Sequence, residues 1–339
     1  MLQAFICGDG QQPLGHSPQP VLTACSRLTA LTELMVYITT ADGGRPFFSL
    51  GLDPLRQCTA LERVTFSEVV MPDQGSLPIA ERQHAVYDVI AAWPRLRELA
   101  LQLLRLGYKC PLHEVVGAVP DGLEVLELGV PLELEGALGL SRLVALRKLC
   151  FDDAPTQLWD EGLMEGRLVV REIPQQLVAM GDLRDLRLRN PLGGAPAMRL
   201  LAVLPQLTRL TTLMLASVVR DWPQLLVGKL AGHSQLKELA ILSHSLLSFD
   251  DSDRFARLCK PLALLCTLCV ADLSGDGLHV KAECIDSLMA GLPCLKFAVV
   301  SVRGDGADAA TARAQAAGLR IQESMGDALG FPAYSERMP

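Results

Sequence analysis

Apolar residues recur along this chain in one short pattern, L-x-x-L-x-L with aliphatic substitutions, and the pattern itself recurs. It fits at Leu31/Leu34/Val36, Leu61/Val64/Phe66, Leu96/Leu99/Leu101, Leu123/Leu126/Leu128 and Leu146/Leu149/Phe151. It continues at Leu183/Leu186/Leu188, Leu210/Leu213/Leu215, Leu236/Leu239/Ile241, Leu265/Leu268/Val270 and Leu295/Ala298/Val300. The same frame catches Leu2/Phe5/Cys7 at the start and a weak Ala316/Leu319/Ile321 at the end. Between the ten clear units the interval averages about 29 residues, the kind of period that marks a stacked repeat array. One such match in a leucine-rich chain means nothing. Ten at one interval define a repeat.

The pattern is that of a short buried strand. Successive side chains alternate between faces, so template positions 4 and 6 point inward and positions 3, 5 and 7 outward. One unit cannot bury its own leucines, but parallel strands stacked about 4.8 Å apart share a continuous core. The segments between read as helices: 78–93, 196–204, 223–232, 252–265 and 282–292 carry apolar residues three to four apart. Several open with Pro, Ser or Asp, as helix starts do.

Over nearly its whole length the chain resembles the leucine-rich-repeat superfamily, in the irregular intracellular form of ribonuclease-inhibitor-like and F-box-associated arrays. The resemblance implies an α/β solenoid, a horseshoe with parallel strands on the concave face and helices on the convex face. The expected layout is a single array over 1–324 of about 11–12 units, with 305–324 as C-terminal cap and 325–339 as a polar tail. Members usually place Asn or Cys about three residues after the last strand leucine. Here those positions read Thr39, Val69, Leu104, Pro131, Ala154, Pro191, Val218, His244, Leu273 and Arg303, which predicts irregular turns. Two units are longer, and their extra residues, 71–77 and 151–167, are expected to bulge from the loops or the convex side. No matching cap precedes Leu2. Three explanations stand: a neighbouring chain, a longer natural protein, or self-capping by residues 8–20.

Composition narrows the function. Half of the 339 residues are hydrophobic and only 5% aromatic, so the core is aliphatic. A net charge of -7 gives no reason to expect nucleic acid, which needs a concentrated positive surface. No uncharged apolar run approaches the roughly 20 residues of a membrane span. The start does not read as a signal peptide. The ten scattered cysteines therefore read as reduced thiols, and the expected location is cytoplasmic or nuclear.

Residues that could carry chemistry do not form a site in the sequence. Cys266 and Cys269 make a CxxC near Cys259, His279, Cys284 and Cys294, yet they occupy template positions 2 and 5 and should diverge. Carboxylates gather at 121–128 and 151–154, where an open strand surface would leave them solvated. Phosphate-loop, nucleophile-elbow and zincin motifs are absent, and 304–308 reads as a turn before the last helix. No enzyme, metal or cofactor is expected.

What remains is the outward face. Its middle is charged: Glu98, Glu127, Lys148 and Asp152, then Asp185, Arg187 and Arg189, with Asp152 and Arg189 placed to pair across strands. This reads either as a self-neutralising ladder or as a partner-binding cluster. Towards the C-terminus the columns turn apolar (Met214, Ala216, Ala240, Leu242, Cys269, Ala271, Phe297, Val299), which predicts an exposed strip suited to a partner. The candidate partner-binding residues are Asp152, Asp185, Arg187, Arg189, Met214, Ala240, Leu242, Cys269, Phe297 and Val299. The function expected is a non-catalytic scaffold for a protein partner. Two alternatives are substrate recognition in an F-box-type ubiquitin ligase lacking its N-terminal part, and GTPase regulation through an exposed Arg171 or Arg303.

Overall fold

The structure is a computed structural model that describes residues 2–9, 23–25, 27–40, 52–70, 87–103, 110–129, 132–133, 137–151, 173–192, 194–217, 222–243, 259–272, 277, 279–303 and 305–323. The chain divides into two compact units, Met1–Asp182 and Leu183–Pro339.

The N-terminal unit holds β1 (Leu2–Asp9), β2 (Leu31–Thr40), β3 (Arg63–Val70), β4 (Glu98–Leu103), β5 (Cys110–Pro111), β6 (Val125–Leu128), β7 (Leu132–Glu133) and β8 (Lys148–Phe151). Its main sheet runs β1-β2-β3-β4-β6-β8, with neighbouring strands parallel. β5 and β7 form a separate short pair. The C-terminal unit holds β9 (Asp185–Leu192), β10 (Thr212–Ser217), β11 (Glu238–Ser243), β12 (Thr267–Asp272), β13 (His279–Lys281), β14 (Phe297–Val299), β15 (Ser301–Arg303) and β16 (Arg320–Gln322). Here the order is β9-β10-β11-β12-β14-β16, again parallel, with β13 and β15 paired apart. Strand, crossover and parallel neighbouring strand repeat throughout each unit. This is the leucine-rich-repeat fold.

The register is the expected one across the clear units. Leu34, Val64, Leu99, Leu126 and Leu149 stand in one row, and Leu186, Leu213, Leu239, Leu268 and Ala298 in another. These side chains are at most 1% exposed. Replacing one such leucine by alanine would cost about 2–5 kcal/mol, since a close-packed core does not fill the hole.

Both terminal frames need correction. Ala4 and Ile6, not Phe5 and Cys7, pair with Leu34 and Val36, because the ladder shifts between Leu2 and Gln3. A one-residue shift exchanges the two faces of a strand. At the other end Ile321, not Leu319, pairs with Ala298, a shift of two residues.

The crossovers contain α1 (Leu112–Ala118), α2 (Ile173–Leu177), α3 (Gly194–Val203), α4 (Trp222–Lys229), α5 (Ala282–Gly291) and α6 (Ala307–Ala316), with 3-10 turns at Asp53–Gln57, Ala137–Arg142 and Leu204–Gln206. Helices expected at 196–204, 223–232 and 282–292 are present; residues 78–86 and 252–258, and the long insertions at 71–77 and 152–167, lie outside the described residues. Arg142 closes the end of α1 by donating to the carbonyls of Val116 and Val119, where a helix leaves acceptors unsatisfied. Gly306, at φ 83° in the left-handed region, makes the turn into α6.

A signal upstream of the template organises these crossovers. In nine of the ten clear units the residue three before the first leucine passes its carbonyl to that leucine's amide, as in Leu143 to Leu146, Leu207 to Leu210 and Leu262 to Leu265, at 2.9–3.2 Å. Cys58, Trp93, Leu143, Met180, Leu207, Leu262 and Leu292 occupy this place and are buried. Trp93 satisfies its indole N–H on the Leu55 carbonyl of the preceding repeat, 2.9 Å away. His233 holds the same place, is 0% exposed, and neither ring nitrogen makes a hydrogen bond.

Burial lowers the His233 pKa below its ordinary 6.5, although the nearby Leu204, Leu230 and Leu207 carbonyls favour the charged ring. Above pH 6.5 the ring is neutral folded or unfolded. As the pH falls through that value the unfolded chain takes up the proton first, so stability drops. His233→Leu should remove this acid sensitivity and raise stability at neutral pH by about 1 kcal/mol, read from urea midpoints across pH. A wild-type midpoint that does not change through this range would refute the assignment.

Gly277 marks a close approach: it bridges Ala271 and donates its amide to the Glu323 carbonyl at 2.6 Å. A Cβ there would lie 2.7 Å from that oxygen and 2.9 Å from the Val300 carbonyl carbon. Gly277→Ala should therefore destabilise the C-terminal unit by about 1–3 kcal/mol in chemical denaturation. Unaltered unfolding would show that the contact is not tight.

Candidate interaction surface

The strands fix the outward side chains in columns. In the N-terminal unit Glu33, Arg63, Glu98, Val125 and Lys148 form one column, and Met35, Thr65, Ala100, Glu127 and Cys150 the next. Apart from buried Cys150 these residues are half-exposed or exposed, against near-complete burial of the leucine face. A shallow groove of about 240 Å³ runs across β2, β3, β4 and β6, lined by Glu33, Met35, Arg63, Thr65, Glu98, Ala100 and Glu127 among others. Its charges are largely paired: Arg63 Nη2 to Glu33 Oε2 at 3.1 Å, and Lys148 Nζ to Glu127 Oε1 at 2.7 Å. For these residues the self-neutralising ladder describes the face.

In the C-terminal unit the columns are Asp185, Thr212, Glu238, Thr267 and Phe297, beside Arg187, Met214, Ala240, Cys269 and Val299. Arg187 Nε pairs with Asp185 Oδ1 at 2.9 Å on its own strand. The expected exposed apolar strip is not there. Met214 (3%), Ala240 (6%), Cys269 (0%) and Val299 (0%) are buried, and with Ala271 they form a second small core against which half-exposed Leu242 and Phe297 pack. Rungs stand about 4.8 Å apart, so a short side chain in the middle column is screened by larger neighbours on both sides. The hollow above Met214, Ala240 and Cys269 measures only about 20 Å³, space for roughly one water.

The remaining candidates separate. The side chain of Arg189 lies outside the described residues; just beyond Leu188 the ladder shifts between Leu215 and Ser217, and Leu192 pairs with Ser217. Pro191 has no amide to donate, which breaks regular pairing at that point. Asp152, and with it the expected pair to Arg189, lies outside the described residues, as do Asp153 and Arg171. Arg303 ends β15. The carboxylates of the 121–128 group each face a cation: Asp121 meets Arg142, Glu124 meets Arg97 and Arg147, and Glu127 meets Lys148.

The CxxC does not converge. Cys266 is half-exposed and donates to the Leu264 carbonyl at 3.3 Å, whereas Cys269 is buried. Burial pushes the Cys269 thiol up to about 12, helped by the Glu238 carboxylate and opposed by a hydrogen bond with the Val299 backbone. Burial does the same to Cys259, which also feels Cys284, and to Cys284 itself, each pushed to about 12. A thiol held protonated at neutral pH is a poor nucleophile. Among the described residues no three His, Cys, Asp or Glu side chains stand where they could hold a metal ion, and no helix is long and apolar enough to cross a membrane.

No family model matches the sequence, and no curated protein matches it. Among solved structures it is similar to the leucine-rich repeat-containing protein LegL7 from Legionella pneumophila, at 14% identity over 96% of this chain and 100% of that one, with a TM-score of 0.44. The fold rests on the strand register described above, not on this likeness.

Thiol accessibility gives a direct check on the two faces. Alkylation of the native protein near pH 8, read by peptide mass spectrometry, should modify Cys266 and Cys294 and leave Cys25, Cys58, Cys150, Cys259, Cys269 and Cys284 intact until denaturant is added. Rapid native labelling of Cys269 would mean that the second small core is open.

Proposed function

We propose that the protein is a non-catalytic interaction scaffold whose outward sheet face holds a protein partner. One observation carries this reading. Parallel sheets are ordinarily covered on both faces. In the N-terminal unit the leucine face is buried, while Glu33, Met35, Arg63, Thr65, Ala100, Val125 and Glu127 on the other stay half-exposed. Side chains there are held in rows at a fixed spacing, which suits a broad protein surface better than a small molecule. Neither hollow described above reaches the roughly 300 Å³ at which small-ligand pockets begin. In the C-terminal unit the partner would meet Asp185, Arg187, Leu242 and Phe297, the sequence-derived candidates there that keep surface.

The test compares two surfaces of one chain. Thr65→Arg with Ala100→Arg alters the groove, and Met198→Lys alters an exposed position, 51% accessible, on α3. Exposed or half-exposed substitutions of this kind change stability by about 0.5 kcal/mol or less, so both proteins should fold. In affinity capture from native extract, a partner retained by the wild type and by Met198→Lys should fall at least about tenfold on the groove variant. Equal retention by all three, or turnover of a substrate by the purified chain, would contradict the scaffold reading.

A further inference from the structure

The residues that open the strands form a row of their own, and the row differs between the units. In the N-terminal unit it reads Thr32, Glu62, Arg97, Glu124, Arg147, each amide donating to the preceding carbonyl at 2.7–2.9 Å. Its charges alternate. Glu124 takes Arg97 at 3.1 Å and Arg147 at 3.0 Å, so that row neutralises itself.

The C-terminal row reads Arg184, Thr211, Lys237, Cys266, Lys296, Arg320, joined by the same hydrogen bonds at 2.7–2.9 Å. It contains no carboxylate. Arg184, Lys237 and Lys296 are exposed and have no ion-pair partner among the described residues. Neighbouring acids are engaged: Asp185 pairs with Arg187 at 2.9 Å, and Glu238 accepts from the Thr212 hydroxyl at 3.3 Å. Arg320 lies with its guanidinium 5.9 Å from the Phe297 ring centroid at the end of the row.

The spacing specifies a ligand. Rungs are about 4.8 Å apart, so cations on alternate rungs stand about 10 Å apart, close to one turn of an extended polyproline II segment, whose period of three residues brings every third side chain to the same face. We propose that this rim of the C-terminal unit docks an extended acidic segment of a partner protein, with carboxylates at every third residue lying over Arg184, Lys237 and Lys296. The inference rests on the scaffold reading and deepens it, adding a second contact outside the sheet face. A net charge of -7 opposes a long polyanion such as nucleic acid, so a short acidic peptide is the better fit.

Fluorescence anisotropy tests the proposal with three labelled probes: a Gly/Ser peptide carrying Glu at every third position, a peptide of identical composition with its Glu residues consecutive, and a single-stranded oligodeoxynucleotide. The spaced peptide should bind the full chain best, and Lys237→Glu with Lys296→Glu should weaken it about tenfold. Arg147→Glu, which reverses a cation of the self-neutralised row, should leave it unchanged, with circular dichroism showing every variant folded. No binding of the spaced peptide, equal binding of both peptides, or preference for the oligonucleotide would overturn the rim assignment. The groove variant Thr65→Arg with Ala100→Arg separates this from the scaffold reading, since it should lose the captured partner and keep the peptide.

Discussion

Within each unit, successive repeats are locked together by one peptide carbonyl. The residue that opens a strand accepts two amides from the following rung, as Glu124 O does from Arg147 and Lys148, and Lys237 O from Cys266 and Thr267. A backbone acceptor has two lone pairs, and here both are used. The paired contact fixes where every strand starts, and with side chains alternating along a strand, the start decides which face each residue joins. Burial of the leucine rows then follows. A rung slipped by one residue would turn its whole aliphatic set towards the opposite face.

That constraint makes the crossovers interchangeable in kind but not in register. A helix, a 3-10 turn or a mixture can bridge two rungs, provided that an apolar residue arrives three positions before the first leucine and passes its carbonyl forward. Leucine, cysteine and tryptophan all serve in this place, and Trp93 finds a partner for its one polar atom. His233 fills the same volume without satisfying either ring nitrogen. A polar ring in an aliphatic row costs free energy unless its nitrogens are bonded. The array therefore carries a weak rung whose strength depends on pH.

The outward surface divides by chemistry. The N-terminal columns are charged and half-exposed, with most charges paired, whereas the C-terminal middle column has closed on itself around Met214, Ala240 and Cys269. Apolar residues on rungs about 4.8 Å apart shield one another as readily as they invite a partner. At the strand starts of the C-terminal unit Thr211 and Cys266 alternate instead with exposed cations, and no carboxylate intervenes.

The repeat, its interval, the parallel strands and most of their register were legible from the leucine triplets alone, because a buried strand must alternate and a single unit cannot bury its own core. The upstream signal was equally present in runs such as Leu207, Leu210, Leu213 and Leu215, and a template extended by three residues finds it. The end frames at Phe5 and Leu319 were misread because a terminal strand has one neighbour, so its pattern is less constrained. Asn190–Pro191 announced the break in pairing that follows Leu188. Exposure was beyond the reach of pattern: alternation assigns Ala240 and Cys269 to the outward face, and only the packing of Leu242, Phe297 and Met214 around them decides that they are buried. Ion pairing is likewise tertiary, since Arg97, Glu124 and Arg147 become neighbours only after three rungs have stacked.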